Sequence, residues 1–177
     1  VMTLSHELGH GVHQYLANNN GLLLSSTPLT LAETASVFGE MLTFRSILSG
    51  TKSNEQRKVV LRSKIEDMLN TVVRQISFYE FEKKIHRQRL LGELSTEFIC
   101  NLWLETQKES LGDSVKLNGD YKYFWAYIPH FIHSPFYVYA YAFGDCLVNS
   151  LYAKYEEGLK DFNDKYIHLL KSGGSIE

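Results

Sequence analysis

Two histidines four residues apart, His6 and His10, constrain this chain more than any other feature. Glu7, Leu8 and Gly9 stand between them. On an α-helix, residues i and i+4 share a face, so both imidazoles can reach one metal ion only if the segment is helical. Glu7 sits about 100° further round the same turn, where its carboxylate can face a water on that ion. Zinc held by neutral ligands lowers the pKa of its water toward ~7. A neighbouring carboxylate can take that proton and pass it to a leaving group. The competing reading is a half-exposed helix whose histidines bond nearby carboxylates.

The flanking residues predict how the helix sits. Val1, Met2 and Leu4 precede the pair, and Val12, Leu16 and Ala17 continue an apolar stripe. Together they predict one buried helix ending near Asn18-Asn19-Asn20-Gly21. Buried imidazoles need partners, and a metal supplies one.

A catalytic zinc takes three protein ligands and keeps one position open. His13 continues the stripe at i+7, but it lies about 10 Å further along the axis at ~1.5 Å per residue. It reads as a packed histidine. Glu33 is the stronger candidate, in Leu31-Ala32-Glu33-Thr34-Ala35-Ser36. A second helix from about Thr30 to Leu48, antiparallel to the first, would aim this carboxylate at the metal face. The same residues fit another role. Thr30-Leu31-Ala32-Glu33 has the pattern of a capping box, in which the glutamate reaches back to the cap residue's own N–H. Glu40, two turns after Glu33 on the same face, can accept a hydrogen bond from a metal-bound histidine. It reads equally well as a surface glutamate.

The rest of the chain has helical periodicity and little strand-like alternation. A long helix is predicted from about Asn54 to Arg89, with Leu61, Ile65, Met68, Leu69, Val72 and Ile76 as its apolar stripe. Ser95 opens another helix that ends near Leu111-Gly112. Asn118 to Pro129 is an aromatic-rich loop. Pro135, behind Ser134 as cap, opens a helix carrying Tyr137 and Tyr141 on one face. Ala140, Ala142 and Gly144 in that helix allow close approach of a neighbour, expected to be the helix of His6 and His10. A last helix runs from about Asp161 to Leu170. The fold class is all-α, a helical bundle around the metal-binding helix.

Composition bounds the partners. The 177 residues carry a net charge of -2, which gives no general nucleic-acid surface. Residues 52–92 hold ten Lys and Arg against five Asp and Glu, which reads as the solvated face of a long helix. No apolar run has membrane-spanning length, and no signal peptide is evident at this start. Cys100 and Cys146 lack metal-like spacing and read as reduced, buried thiols of a cytoplasmic protein.

The motifs taken together resemble a known family. His6-Glu7-Leu8-Gly9-His10-Gly11-Val12-His13-Gln14, then Glu33-Thr34-Ala35-Ser36 and Glu40, are similar to the thimet oligopeptidase and oligoendopeptidase F family of zinc peptidases. Pro129-His130-Phe131-Ile132 and Pro135-Phe136-Tyr137-Val138-Tyr139-Ala140-Tyr141-Ala142 resemble that family's downstream substrate-binding segment, nearer the oligoendopeptidase F branch. The resemblance implies one zinc per chain on His6, His10 and Glu33, with Glu7 as base. It also implies a substrate-binding histidine at His130 and a transition-state tyrosine at Tyr141. A phenol is a neutral donor at pH 7, so Tyr141 suits an oxyanion. Tyr137 and Tyr139 remain candidates along the same tyrosine-rich run.

Family members carry a large helical region before the zinc helix, whereas five residues precede His6 here. Residues 1–177 are therefore expected to be a single C-terminal catalytic domain. Its partners would be an oligopeptide substrate and an N-terminal region of the same protein. The alternative function is a non-catalytic, zinc-stabilised helical binding module. Glu7 argues against it, because a purely structural zinc site has no need of a base.

Overall fold

The computed structural model describes residues 1–176, apart from the Ser114 side chain. Eight α-helices follow in order: α1 (Met2–Ala17), α2 (Thr34–Gly50), α3 (Asn54–Met68), α4 (Gln75–Arg89), α5 (Thr96–Leu111), α6 (His130–His133), α7 (Tyr139–Glu156) and α8 (Phe162–Ser172). A π-helical turn, Leu69–Arg74, joins α3 to α4, and a 3-10 helix spans Gly119–Tyr127. No strand occurs among the described residues. The fold is all-α, as the sequence predicts.

Contacts divide the chain into two compact units. The first comprises Val1–Met68 with Phe143–Glu177 and the second Leu69–Ala142.

In the first unit, α1 and α2 run antiparallel. The contacts pair Ser5 with Thr43, His6 with Glu40, and Gly9 with Ala35 and Ser36, one index rising as the other falls. The contact face of α1 is the row Ser5, His6, Gly9, His10, His13 and Ala17, at helical spacing. Small and polar residues allow the close approach. The larger apolar residues therefore fall elsewhere: Leu4, Leu8, Val12 and Tyr15 are half or more exposed. Of the predicted apolar stripe of α1, Ala17 is buried and Met2 and Leu16 are half-buried, but Val1, Leu4 and Val12 are exposed. Beneath α2 lies a core of Val37, Phe38, Met41, Val148, Tyr152 and Phe162. Tyr166 of α8 adds a ring 4.5 Å from Phe38 and donates its hydroxyl to the Thr34 carbonyl.

The second unit is built on aromatic rings. Phe78 and Phe81 of α4, Trp103 of α5, Ile128 and Val138 form its core. Ser95 caps α5 as predicted, its Oγ accepting the Phe98 N–H. Gly112, at φ 60°, ends that helix. The aromatic loop is a 3-10 helix. Tyr121 and Trp125 pack on the core, and Tyr127 is 80% exposed.

Three predictions need correction. The predicted helix from Asn54 to Arg89 is interrupted by the π turn, whose wider winding shifts the following face. The stripe residues Leu61 and Ile65 before the turn, Leu69 at its start and Ile76 after it are all exposed, while α4 buries Ser77, Phe78, Phe81 and Glu82. Pro135 does not open a helix. Phe136 adopts φ 62°, and α7 starts only at Tyr139. Of the two cysteines, Cys100 is buried but Cys146 is exposed.

Candidate metal centre

The first unit brings His6, His10 and Glu33 together. Both histidines project from one face of α1. His6 Nε2 lies 3.1 Å from His10 Nε2 and 3.4 Å from Glu33 Oε2. His10 Nε2 lies 3.5 Å from the same oxygen. Among the described residues, these three form the one cluster of metal-ligating side chains. Zinc bonds of ~2.0–2.1 Å at tetrahedral angles place ligand atoms about 3.3–3.4 Å apart. The three separations match that triangle, so the residues present fit the ion.

The electrostatics agree with the geometry. A carboxylate can only accept, so the 2.9 Å contact between His6 Nδ1 and Glu40 Oε1 places the proton on Nδ1. The His6 Nε2 faces the Glu33 carboxylate and His10. Acceptors converging at this distance repel unless a cation or proton sits among them.

Glu33 is 3% exposed. It does not lie inside the second helix, as the sequence led one to expect. It occupies the N-cap position of α2 with φ -90° and ψ 3°, and its side chain makes no capping bond. Its Oε2 instead accepts the Ser36 hydroxyl at 2.8 Å. The capping-box geometry at Thr30 is absent because Leu29–Leu31 forms a separate 3-10 turn.

Glu7 is exposed on α1, next to His6. His13 lies apart from the cluster, buried, with Thr27 Oγ1 3.4 Å from its Nε2. Burial, with His10 nearby, pushes its pKa down, which keeps the ring neutral.

The second unit gathers three of the remaining candidates. The Tyr141 hydroxyl lies 3.3 Å from His130 Nε2. The Tyr137 ring stacks on His130 at 5.5 Å and meets Tyr141 at 5.2 Å. Tyr139 rests on Tyr79 instead, at 5.5 Å.

One buried polar residue has no place in the sequence reading. Glu82 is 2% exposed, and its Oε1 accepts the backbone N–H of Phe136, holding the left-handed turn just before Tyr137. Burial raises its pKa, opposed by that hydrogen bond and by His86 and His130. The available signal was a carboxylate set among Phe78, Phe81 and Ile85 at helical spacing. Gly144 packs not against α1, as predicted, but against the Glu33 side chain.

Comparison with known proteins gives the chain's relatives. The sequence profile of Peptidase family M3 matches residues 1–177. The chain is 34% identical over 177 residues to the plasmid oligoendopeptidase F of Lactococcus lactis subsp. cremoris, covering 99% of this chain and 29% of that protein. It is 33% identical to the oligopeptidase PepF of Bacillus subtilis, covering 99% of this chain and 26% of that one. The crystal structure of oligoendopeptidase-F from Enterococcus faecium superposes with a TM-score of 0.79 at 28% identity, over 97% of this chain and 31% of that chain. The chain thus spans less than a third of the length of these relatives.

Proposed function

This chain belongs to peptidase family M3, and on that premise we propose that it is the catalytic segment of a zinc-dependent endopeptidase acting on oligopeptides. The convergence of His6 Nε2, His10 Nε2 and Glu33 Oε2 beside an exposed Glu7 carries the reading. The names of the relatives, oligoendopeptidase and oligopeptidase, support the substrate class. Residues 1–177 act as a single catalytic domain. Because the relatives are more than three times longer, a further region of the same protein completes the peptide cleft. A cytoplasmic location accords with two free cysteines. No described helix is long and apolar enough to cross a membrane.

His6, His10 and Glu33 would hold one zinc ion per chain and leave a fourth position to the reaction. When bound, zinc supplies Lewis acidity toward the scissile carbonyl and toward water. Glu7 takes the proton of the attacking water and returns it to the leaving amine. Glu40 fixes the tautomer and ring orientation of His6. Tyr141 donates its phenol O–H to the oxyanion of the tetrahedral adduct. His130 binds the peptide beside it, with Tyr137 and Tyr139 as further substrate-binding residues. These last roles rest on the resemblance of residues 129–142 to the family's substrate-binding segment.

A quenched fluorescent oligopeptide offered to the full-length protein tests the proposal. Cleavage should vanish on zinc chelation and return when zinc is restored. Cleavage indifferent to chelation would remove the metal from the mechanism. Stoichiometric zinc without cleavage would make the protein a binding module.

A further inference from the structure

Glu33 lies at the N-cap of α2, where its carbonyl accepts the Val37 N–H and the Ser36 hydroxyl, and neighbours decide where its side chain goes. Those neighbours are glycines. A Cβ built on Gly144 of α7 would stand 2.7 Å from Glu33 Cβ and 3.6 Å from its Cγ. On the α1 side, a Cβ on Gly9 would stand 2.5 Å from both the Ala35 carbonyl oxygen and the Ser36 Cα. Gly11, two residues further along α1, has nothing within 4 Å. The Glu33 stem is thus wedged between bare backbone on α7 and a segment clamped by bare backbone on α1. Its carboxylate is tied to Ser36.

We propose that Gly144 is a positioning residue for the metal centre: its missing side chain is the seat that lets the Glu33 carboxylate reach His6 and His10. The inference rests on the reading of those three residues as zinc ligands. A methyl group at 144 forces the Glu33 stem back by several tenths of an ångström. Zinc–ligand distances tolerate only about 0.2 Å, so the triangle opens on its carboxylate corner while both histidines stay in place.

The test uses the full-length protein, with zinc affinity measured by competition against a chromophoric chelator. Thermal unfolding of the zinc-free protein is measured alongside. Gly144→Ala should weaken zinc binding at least ~10-fold, the scale on which loss of a ligand's support acts. Gly11→Ala should stay within about threefold of wild type, since added helix propensity alone does not move a ligand. A purely structural role would lower the melting temperature of Gly144→Ala and leave the affinity of the folded protein unchanged.

A double variant keeps the result readable if Gly144→Ala folds poorly. Glu33→Gly removes the Cβ that the new methyl would meet. In that background, Gly144→Ala should raise the zinc-free melting temperature, because alanine is the better helix former. In the wild-type background it should lower it. Wild-type zinc affinity in Gly144→Ala, or the same melting shift in both backgrounds, overturns the proposal. Equal zinc affinity of wild type and Glu33→Ala would instead overturn the ligand reading beneath it.

Discussion

His6 Nδ1 and Glu40 Oε1 lie 2.9 Å apart although 34 residues separate them in the chain. The contact joins α1 to α2 and fixes which nitrogen of His6 is free to bind. Glu40→Ala should lower zinc affinity about 10–100-fold, the usual cost of removing a ligand's hydrogen-bond partner. Glu40→Gln should recover much of that, since an amide oxygen still accepts from Nδ1–H. Chelator competition on both variants checks this. Equal loss in both would assign the role of Glu40 to charge rather than to orientation.

Glu7 is the base in the proposed mechanism, and its exposure on α1 leaves it accessible to a substrate water. Glu7→Gln should abolish turnover in the full-length enzyme while zinc stays bound, because the amide is nearly isosteric but takes no proton. Metal content and peptide cleavage on the same sample decide it. Loss of zinc, or cleavage near wild type, would assign the base elsewhere.

The Tyr141 hydroxyl, 3.3 Å from His130 Nε2, is the proposed oxyanion donor. Tyr141→Phe should reduce kcat by roughly 10²–10³-fold with little change in KM, as expected when one such donor is lost. A KM effect alone would make Tyr141 a ground-state binding residue. No effect, with a large one at Tyr137 or Tyr139, would move the donor along the run.

Glu82, in the second unit, sets a pH dependence of stability. Burial raises its folded pKa above the unfolded value of roughly 4.3. The native state therefore holds the proton longer, and stability falls as pH rises through the folded pKa. Glu82→Gln, neutral at every pH, should raise the melting temperature relative to wild type at pH 7. The gain should shrink toward pH 4, where wild-type Glu82 is itself protonated. Thermal unfolding across pH 4–8 measures it, and a gain independent of pH would exclude the titration of Glu82 as its cause.

The parts legible in sequence were those fixed by local geometry. The i, i+4 spacing of His6 and His10 sets their convergence on one face, and Ser95 has the cap that its position predicts. Glu33 could be named but not placed, because its reach depends on a non-helical backbone wedged by Gly144 on α7, 111 residues later. The π turn at Leu69–Arg74 left no periodicity signal, since one extra residue only rotates the following face. The exposure of Leu4 and Val12 departs from the predicted stripe for a similar reason. Apolar residues were assumed to face inward, whereas α1 packs on its small and polar row. Burial of Glu82 has a local signal in its place among Phe78, Phe81 and Ile85, whereas its Phe136 partner comes from tertiary packing.

The central claim is that His6, His10 and Glu33 hold one zinc ion, and metal stoichiometry with ligand variants tests it most directly. Zinc per chain is measured by elemental analysis and affinity by chelator competition, for wild type, His6→Ala and Glu33→Ala. One ion per chain is expected in wild type, with severe weakening in both variants. Unchanged affinity in Glu33→Ala, or no zinc in the wild-type protein, would contradict it.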